Sequence, residues 1–126
     1  MKFEIDFSPL PDYVLIKTEG KVSVEDIENL FKTLVSSPKW KPGTAQLYDH
    51  RKSILKDYPS EDMRTMVNIV KRNSKQLGSG PCALVVKGQL GFGLARMYQM
   101  LGGNGIHVKI GIFHTVEEAA EWLKKR

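Results

Sequence analysis

The chain has 126 residues, 41% of them apolar and 26% charged, with a formal net charge of +5 at pH 7. That length suits one domain, 1–126, which buries roughly two thirds of its unfolded surface and needs no staple to hold a core. The composition excludes disordered, collagen-like and fibrous classes. No stretch approaches the ~20 apolar residues of a membrane span, so a cytoplasmic protein is expected.

Residues 2–7 alternate, with Phe3, Ile5 and Phe7 against Lys2, Glu4 and Asp6, which predicts a strand rather than a signal-peptide core. The turn Ser8-Pro9-Leu10-Pro11-Asp12 is short, so a second strand at 13–19 runs back antiparallel until Gly20. Ser23 is a good N-cap, with Glu25 and Asp26 in the first turn where the helix dipole favours anions. Val24, Ile27, Leu30, Phe31 and Leu34 mark the buried stripe of this helix, and Pro38 stops it. Trp40 follows in a loop flanked by Lys39 and Lys41. It either anchors the protein at a headgroup layer or folds back over the core.

A third strand is expected at 44–49, and a second helix from Pro59-Ser60-Glu61-Asp62 to Leu77, ended by Gly78 and Gly80-Pro81. The fourth strand, Cys82 to Lys87, is apolar until its last residue. It holds the lone cysteine, which reads as a buried, inert thiol in a reducing compartment. Leu90, Leu94, Met97 and Leu101 repeat at helical spacing, and Gly102-Gly103-Asn104-Gly105 breaks that third helix. A fifth strand alternates over 106–113, and Thr115 with Glu118 forms a capping box opening the last helix.

The order is ββαβαβαβα. Strand–helix–strand connections are right-handed, so the last four strands should be largely parallel. A doubly wound sheet buries both faces and its strands read as continuous apolar runs. Only the fourth strand does so here. We therefore expect an α/β fold with a mixed five-stranded sheet, strands in sequence order and helices mainly on one face. A flavodoxin-like sheet is the alternative.

This order, the Leu47-Tyr48-Asp49 strand end and the closing Phe113-His114-Thr115-Val116-Glu117-Glu118-Ala119-Ala120-Glu121-Trp122-Leu123 resemble the SpoIIAA-like family over nearly the whole chain. That family is of STAS type and is often grouped with CRAL-TRIO lipid-binding domains. The resemblance implies a βα superhelix with sequential strands. STAS anti-anti-sigma factors switch protein partners through a phosphorylated serine, in an Asp-x-Ser-Gly-type motif where the third strand meets the second helix. Here the segment from Asp49 to Ser60 is longer and basic and has no Ser-Gly; Ser53 and Ser60 are its serines. The CRAL-TRIO grouping implies that an apolar ligand is conceivable.

From Met63 to Val116 there is no acidic residue, while Arg64, Lys71, Arg72, Lys75, Lys87, Arg96 and Lys109 fall in that stretch. Such asymmetry suggests an anionic partner. Nucleic acid is disfavoured, because the bases are not interleaved with stacking aromatics. Ligands of parallel sheets gather at the carboxyl ends of strands. That edge should bring together Asp49, His50, Arg51, Lys87, Gln89, His114 and Thr115, with Ser60 nearby, as a candidate anion or polar site. Asp49 and His50 are neighbours on an extended chain and point to opposite faces, so they do not form a catalytic dyad. Lys87-Gly88-Gln89-Leu90-Gly91-Phe92-Gly93 matches no phosphate-loop motif, and its glycines are expected to let the third helix approach the sheet. Met63, Met66, Met97 and Met100 could line an apolar pocket between helices. Three distant histidines and one cysteine have no zinc spacing. No catalytic residue, metal or cofactor is assigned.

Three functions follow, in order of preference. The first is a non-enzymatic STAS-like module for a protein partner or small ligand. The second is a lipid- or anionic-ligand-binding domain, with peripheral membrane contact. The third is a small enzyme using Asp49, His50 or His114. The edge strand or the polar sheet face could support a homodimer.

Overall fold

The computed structural model describes residues 1–54, 60–101 and 109–125, apart from the side chains of Ser60, Leu90 and Leu101. The chain opens with β1 (Lys2–Asp6) and β2 (Val14–Lys21), continues through α1 (Val24–Ser36) and β3 (Gln46–Ile54), and then enters α2 (Ser60–Arg72) and a short α3 (Ser74–Leu77). It ends with β4 (Cys82–Val85), α4 (Gly88–Leu101), β5 (Ile110–Phe113) and α5 (Val116–Lys124). The five strands form one sheet in the order β1-β2-β3-β4-β5. β1 is antiparallel to β2, and β2 to β5 are parallel, as the short first turn and the later helical crossovers require.

The two sheet faces are covered unequally. α1, α2 and α4 pack on one face over Val14, Ile16, Tyr48, Leu84 and Val86. α5 packs on the other, where Ala119 and Leu123 meet Leu47, Ala83 and Val85. Both expected caps form. Ser23 Oγ accepts from Asp26 N at 3.2 Å, and Thr115 Oγ1 accepts from Glu118 N at 3.2 Å.

Two elements near the site differ from the sequence reading. The second helix divides at Asn73, whose side-chain amide donates to Ile69 O at 2.7 Å. Such a local bond competes with continuation of the helix. β3 runs five residues past Asp49. Its pairing with β4 ends at Asp49↔Val85, but pairing with β2 continues through Glu19↔Lys52, Gly20↔Ser53 and Lys21↔Ile54. Residues 50–54 of the basic segment read as a connection are therefore a two-stranded extension, and residues 55–59 lie outside the described residues. The expected residues 106–108 of β5 and the glycine break at 102–105 lie outside the described residues.

Trp40 folds back over the core. It is buried, and its indole N–H donates to Gln76 O at 2.8 Å, so it is not presented to a membrane. Close behind it, the chain after α1 crosses the chain between α3 and β4. Gly43 N donates to Leu77 O at 3.0 Å, and a Cβ on Gly80 would collide with the Gly43 and Thr44 carbonyls. Of the glycines expected to bring α4 close to the sheet, Gly91 is buried, whereas Gly93 is exposed with open space for a Cβ.

Candidate functional site

Residues two apart on a strand share a face. The helix-covered face thus carries Thr18 on β2, Gln46, Tyr48 and His50 on β3, and Cys82 and Leu84 on β4. Above it lies a cavity of about 230 Å³. Gln46, Tyr48, His50, Cys82, Leu84 and Val86 form its floor. Leu30 and Phe31 of α1, Met63 and Met66 of α2, and Ala95 and Tyr98 of α4 contribute to its walls. The exposed lining residues, Ser74, Lys75 and Ser79, gather at one end and form a mouth.

The size limits the occupant. An engineered cavity of ~150 Å³ holds benzene, so this volume corresponds in proportion to roughly nine non-hydrogen atoms. A long acyl chain does not fit whole.

The polar side chains of the floor belong to two hydrogen-bonded sets, the second of which reaches beyond the cavity to Thr18 and Ser53. In the first, the Tyr48 hydroxyl donates to Gln46 Oε1 at 2.5 Å, both side chains being buried. Burial holds the Tyr48 phenol well above its usual pKa, so the hydroxyl remains a donor. In the second, the Thr18 hydroxyl stands 2.6 Å from His50 Nδ1, 2.6 Å from Ser53 Oγ and 3.3 Å from the Asp49 carbonyl. An extra residue in β3, where Lys17↔Asp49 is followed by Glu19↔Lys52, accompanies this convergence. It brings His50 and Ser53 to one threonine despite their odd spacing. The His50 ring also stacks on Tyr48, with centroids 5.7 Å apart. Burial pushes the imidazole down to about 4, an effect that Asp49 only partly offsets, so His50 is neutral at pH 7. Burial pushes the Cys82 thiol up to about 12.

The expected polar edge is divided by the sheet. Asp49 lies on the opposite side from His50, where Arg51 grips it through Nε–Oδ1 and Nη2–Oδ2 contacts of 2.9 Å each. The guanidinium holds the Asp49 carboxyl below its usual range. Arg51 is thus already paired, while Lys87 and Gln89 are exposed. His114 stacks on Phe92 with centroids 5.3 Å apart, and Thr115 is occupied as the cap of α5. The methionines divide too. Met63 and Met66 line the cavity, while Met97 and Met100 are 37% and 75% exposed on the outside of α4. Ser53 is held by Thr18, and the Ser60 side chain lies outside the described residues. Among the described residues, no group of three or more His, Cys, Asp or Glu could hold a metal ion. No helix there is long and apolar enough to cross a membrane.

Thr18, Gln46 and Tyr98 were not singled out in the sequence, and Tyr48 entered only as part of a strand end. The available signal was a register: Gln46, Tyr48 and His50 alternate in step with the apolar residues of the neighbouring strands.

No family model and no curated protein matches the chain. Among solved structures, it is similar to an uncharacterized protein of the DUF3478 family from Shewanella loihica PV-4, described as having a SpoIIAA-like fold. The two share 18% identity with a TM-score of 0.65, over 97% of this chain and 92% of that one. The chain has a SpoIIAA-like fold. On that fold, the cavity sits between the sheet and the three helices that cover its first face.

Proposed function

We propose that this SpoIIAA-like chain is a non-catalytic binding module for a small, largely apolar, uncharged molecule. The observation that carries this reading is the cavity of about 230 Å³, floored by the sheet and walled by α1, α2 and α4. Protein interiors are close-packed, and voids larger than a water molecule are few. A mostly apolar pocket with a few placed polar groups is the usual form of a small-molecule site. The interior groups favour a neutral occupant: His50 is uncharged, the Cys82 thiol stays protonated, and Lys75 stands only at the mouth. Burying an unpaired charge there would be costly.

Binding is favoured over catalysis by the same geometry. Asp49 is committed to Arg51 across the sheet, so it does not assist His50. An imidazole with a pKa of about 4 is a weak base at neutral pH.

Native mass spectrometry of the purified protein, with a denatured control, tests the reading. The expected result is an added mass of a molecule of this size that is lost on denaturation, or uptake of an added aromatic probe by the bare chain. At about −0.5 kcal/mol per non-hydrogen atom, nine atoms give a dissociation constant near 0.5 mM. A bare chain that takes up no probe at several millimolar contradicts it.

A further inference from the structure

Among the polar groups that line the cavity, the Gln46 amide is buried and only half matched by the described residues around it. Gln46 is only 5% exposed and lines the floor. Its Oε1 accepts the Tyr48 hydroxyl, and its Nε2 has no hydrogen-bond partner among the described residues. A primary amide nitrogen offers two N–H donors. Leaving such a buried group unsatisfied is expensive, so native proteins rarely do it. Gln46 also occupies an inward position between Val14 of β2 and Cys82 of β4, where an apolar side chain would serve packing better.

We infer that the ligand is a neutral carbonyl compound, such as a ketone, aldehyde, ester or amide, whose oxygen accepts from the Gln46 amide N–H while its apolar body fills the cavity. This rests on the binding reading above and names the chemistry of the same site. In the empty pocket, water can solvate the amide. A ligand that displaces that water loses affinity unless it supplies an acceptor of its own. The Tyr98 hydroxyl, on the α4 wall of the cavity and with no hydrogen-bond partner among the described residues, is a second neutral donor.

The test compares acetophenone with α-methylstyrene, its counterpart of equal shape in which a methylene replaces the carbonyl oxygen. Both affinities are measured by NMR titration in wild-type protein and in Gln46→Met, which keeps the side-chain length but removes the amide. One net hydrogen bond corresponds to about a fivefold effect on the affinity ratio. The inference expects Gln46→Met to weaken acetophenone relative to α-methylstyrene by about that factor. It also expects the infrared carbonyl stretch of acetophenone bound to wild-type protein to fall below its value in alkane solvent. That second readout needs no variant and stands if Gln46→Met does not fold. Binding of both probes with an unchanged ratio and an unshifted stretch overturns the role of Gln46 and leaves the cavity reading intact. Failure of both probes to bind overturns the cavity reading, and the inference with it.

Discussion

Substituting Ala95 with leucine gives opposite signs for an empty cavity and a filled one. Ala95 is buried on α4 and lines the cavity. Three added carbons entering empty apolar space contribute about 2.4 kcal/mol at ~0.8 kcal/mol per methylene. Ordering the leucine side chain costs about 0.5–1 kcal/mol, and its helix propensity is close to that of alanine. The expected net gain is about 1.5 kcal/mol. With an m-value near 1.5 kcal/mol per molar urea, the unfolding midpoint of ligand-free protein should rise by about 1 M at unchanged m. The same substitution should abolish probe binding. Were α4 packed directly on the sheet, the extra carbons would instead cost about 1–3 kcal/mol. A lowered midpoint in Ala95→Leu with m unchanged would falsify the cavity.

Other consequences concern pH, backbone and surface. His50 has a folded pKa of about 4 against 6.5 for the free side chain, so the unfolded chain binds more protons between those values. Its contribution, on the order of 3 kcal/mol at most, is fully present above pH 6.5 and lost as pH falls to about 4. Urea midpoints between pH 7 and 4.5 should therefore fall more steeply in wild type than in His50→Gln; parallel curves contradict the burial. Gly80→Ala drives a Cβ into the Gly43 and Thr44 carbonyls and should cost about 1–3 kcal/mol, seen as a melting temperature lowered by several degrees. An unchanged melting temperature means the two chain segments are not in contact. Arg51→Ala removes the exposed partner of Asp49 and should cost no more than about 1 kcal/mol. It should leave probe affinity unchanged, since the pair lies across the sheet; a large loss of binding would bring that edge into the site.

The fold was legible because its signals are local and agree with one another. The alternation in β1, the Ser23 and Thr115 caps and the single continuous apolar strand Cys82–Val85 each constrain the layout independently. Strand parity also separated Asp49 from His50, as the structure shows. The site was less legible because it depends on register between strands and on the space left between helices. Polar residues at strand ends suggested one edge, yet Arg51 turns to Asp49 on the α5 side while His50 turns to Thr18 on the other. The extra residue in β3 that brings Ser53 back to Thr18 leaves no mark in composition. Met97 repeats with Leu94 and Leu101 in the sequence, but α4 turns Gly91, Ala95 and Tyr98 inward instead, which leaves Met97 facing outward. A cavity is a deficit of packing, and no residue type announces it.

The central claim is that a small neutral molecule enters the space between the sheet and α1, α2 and α4. Methyl-resolved NMR during titration with acetophenone tests it most directly. The account predicts saturable shifts in the methyl groups of Met63, Met66, Leu84, Val86 and Ala95, which line the cavity. Leu47, Val85 and Leu123, packed beneath α5 on the other face, should stay still. Shifts centred on that second group, or none at millimolar probe, would contradict it.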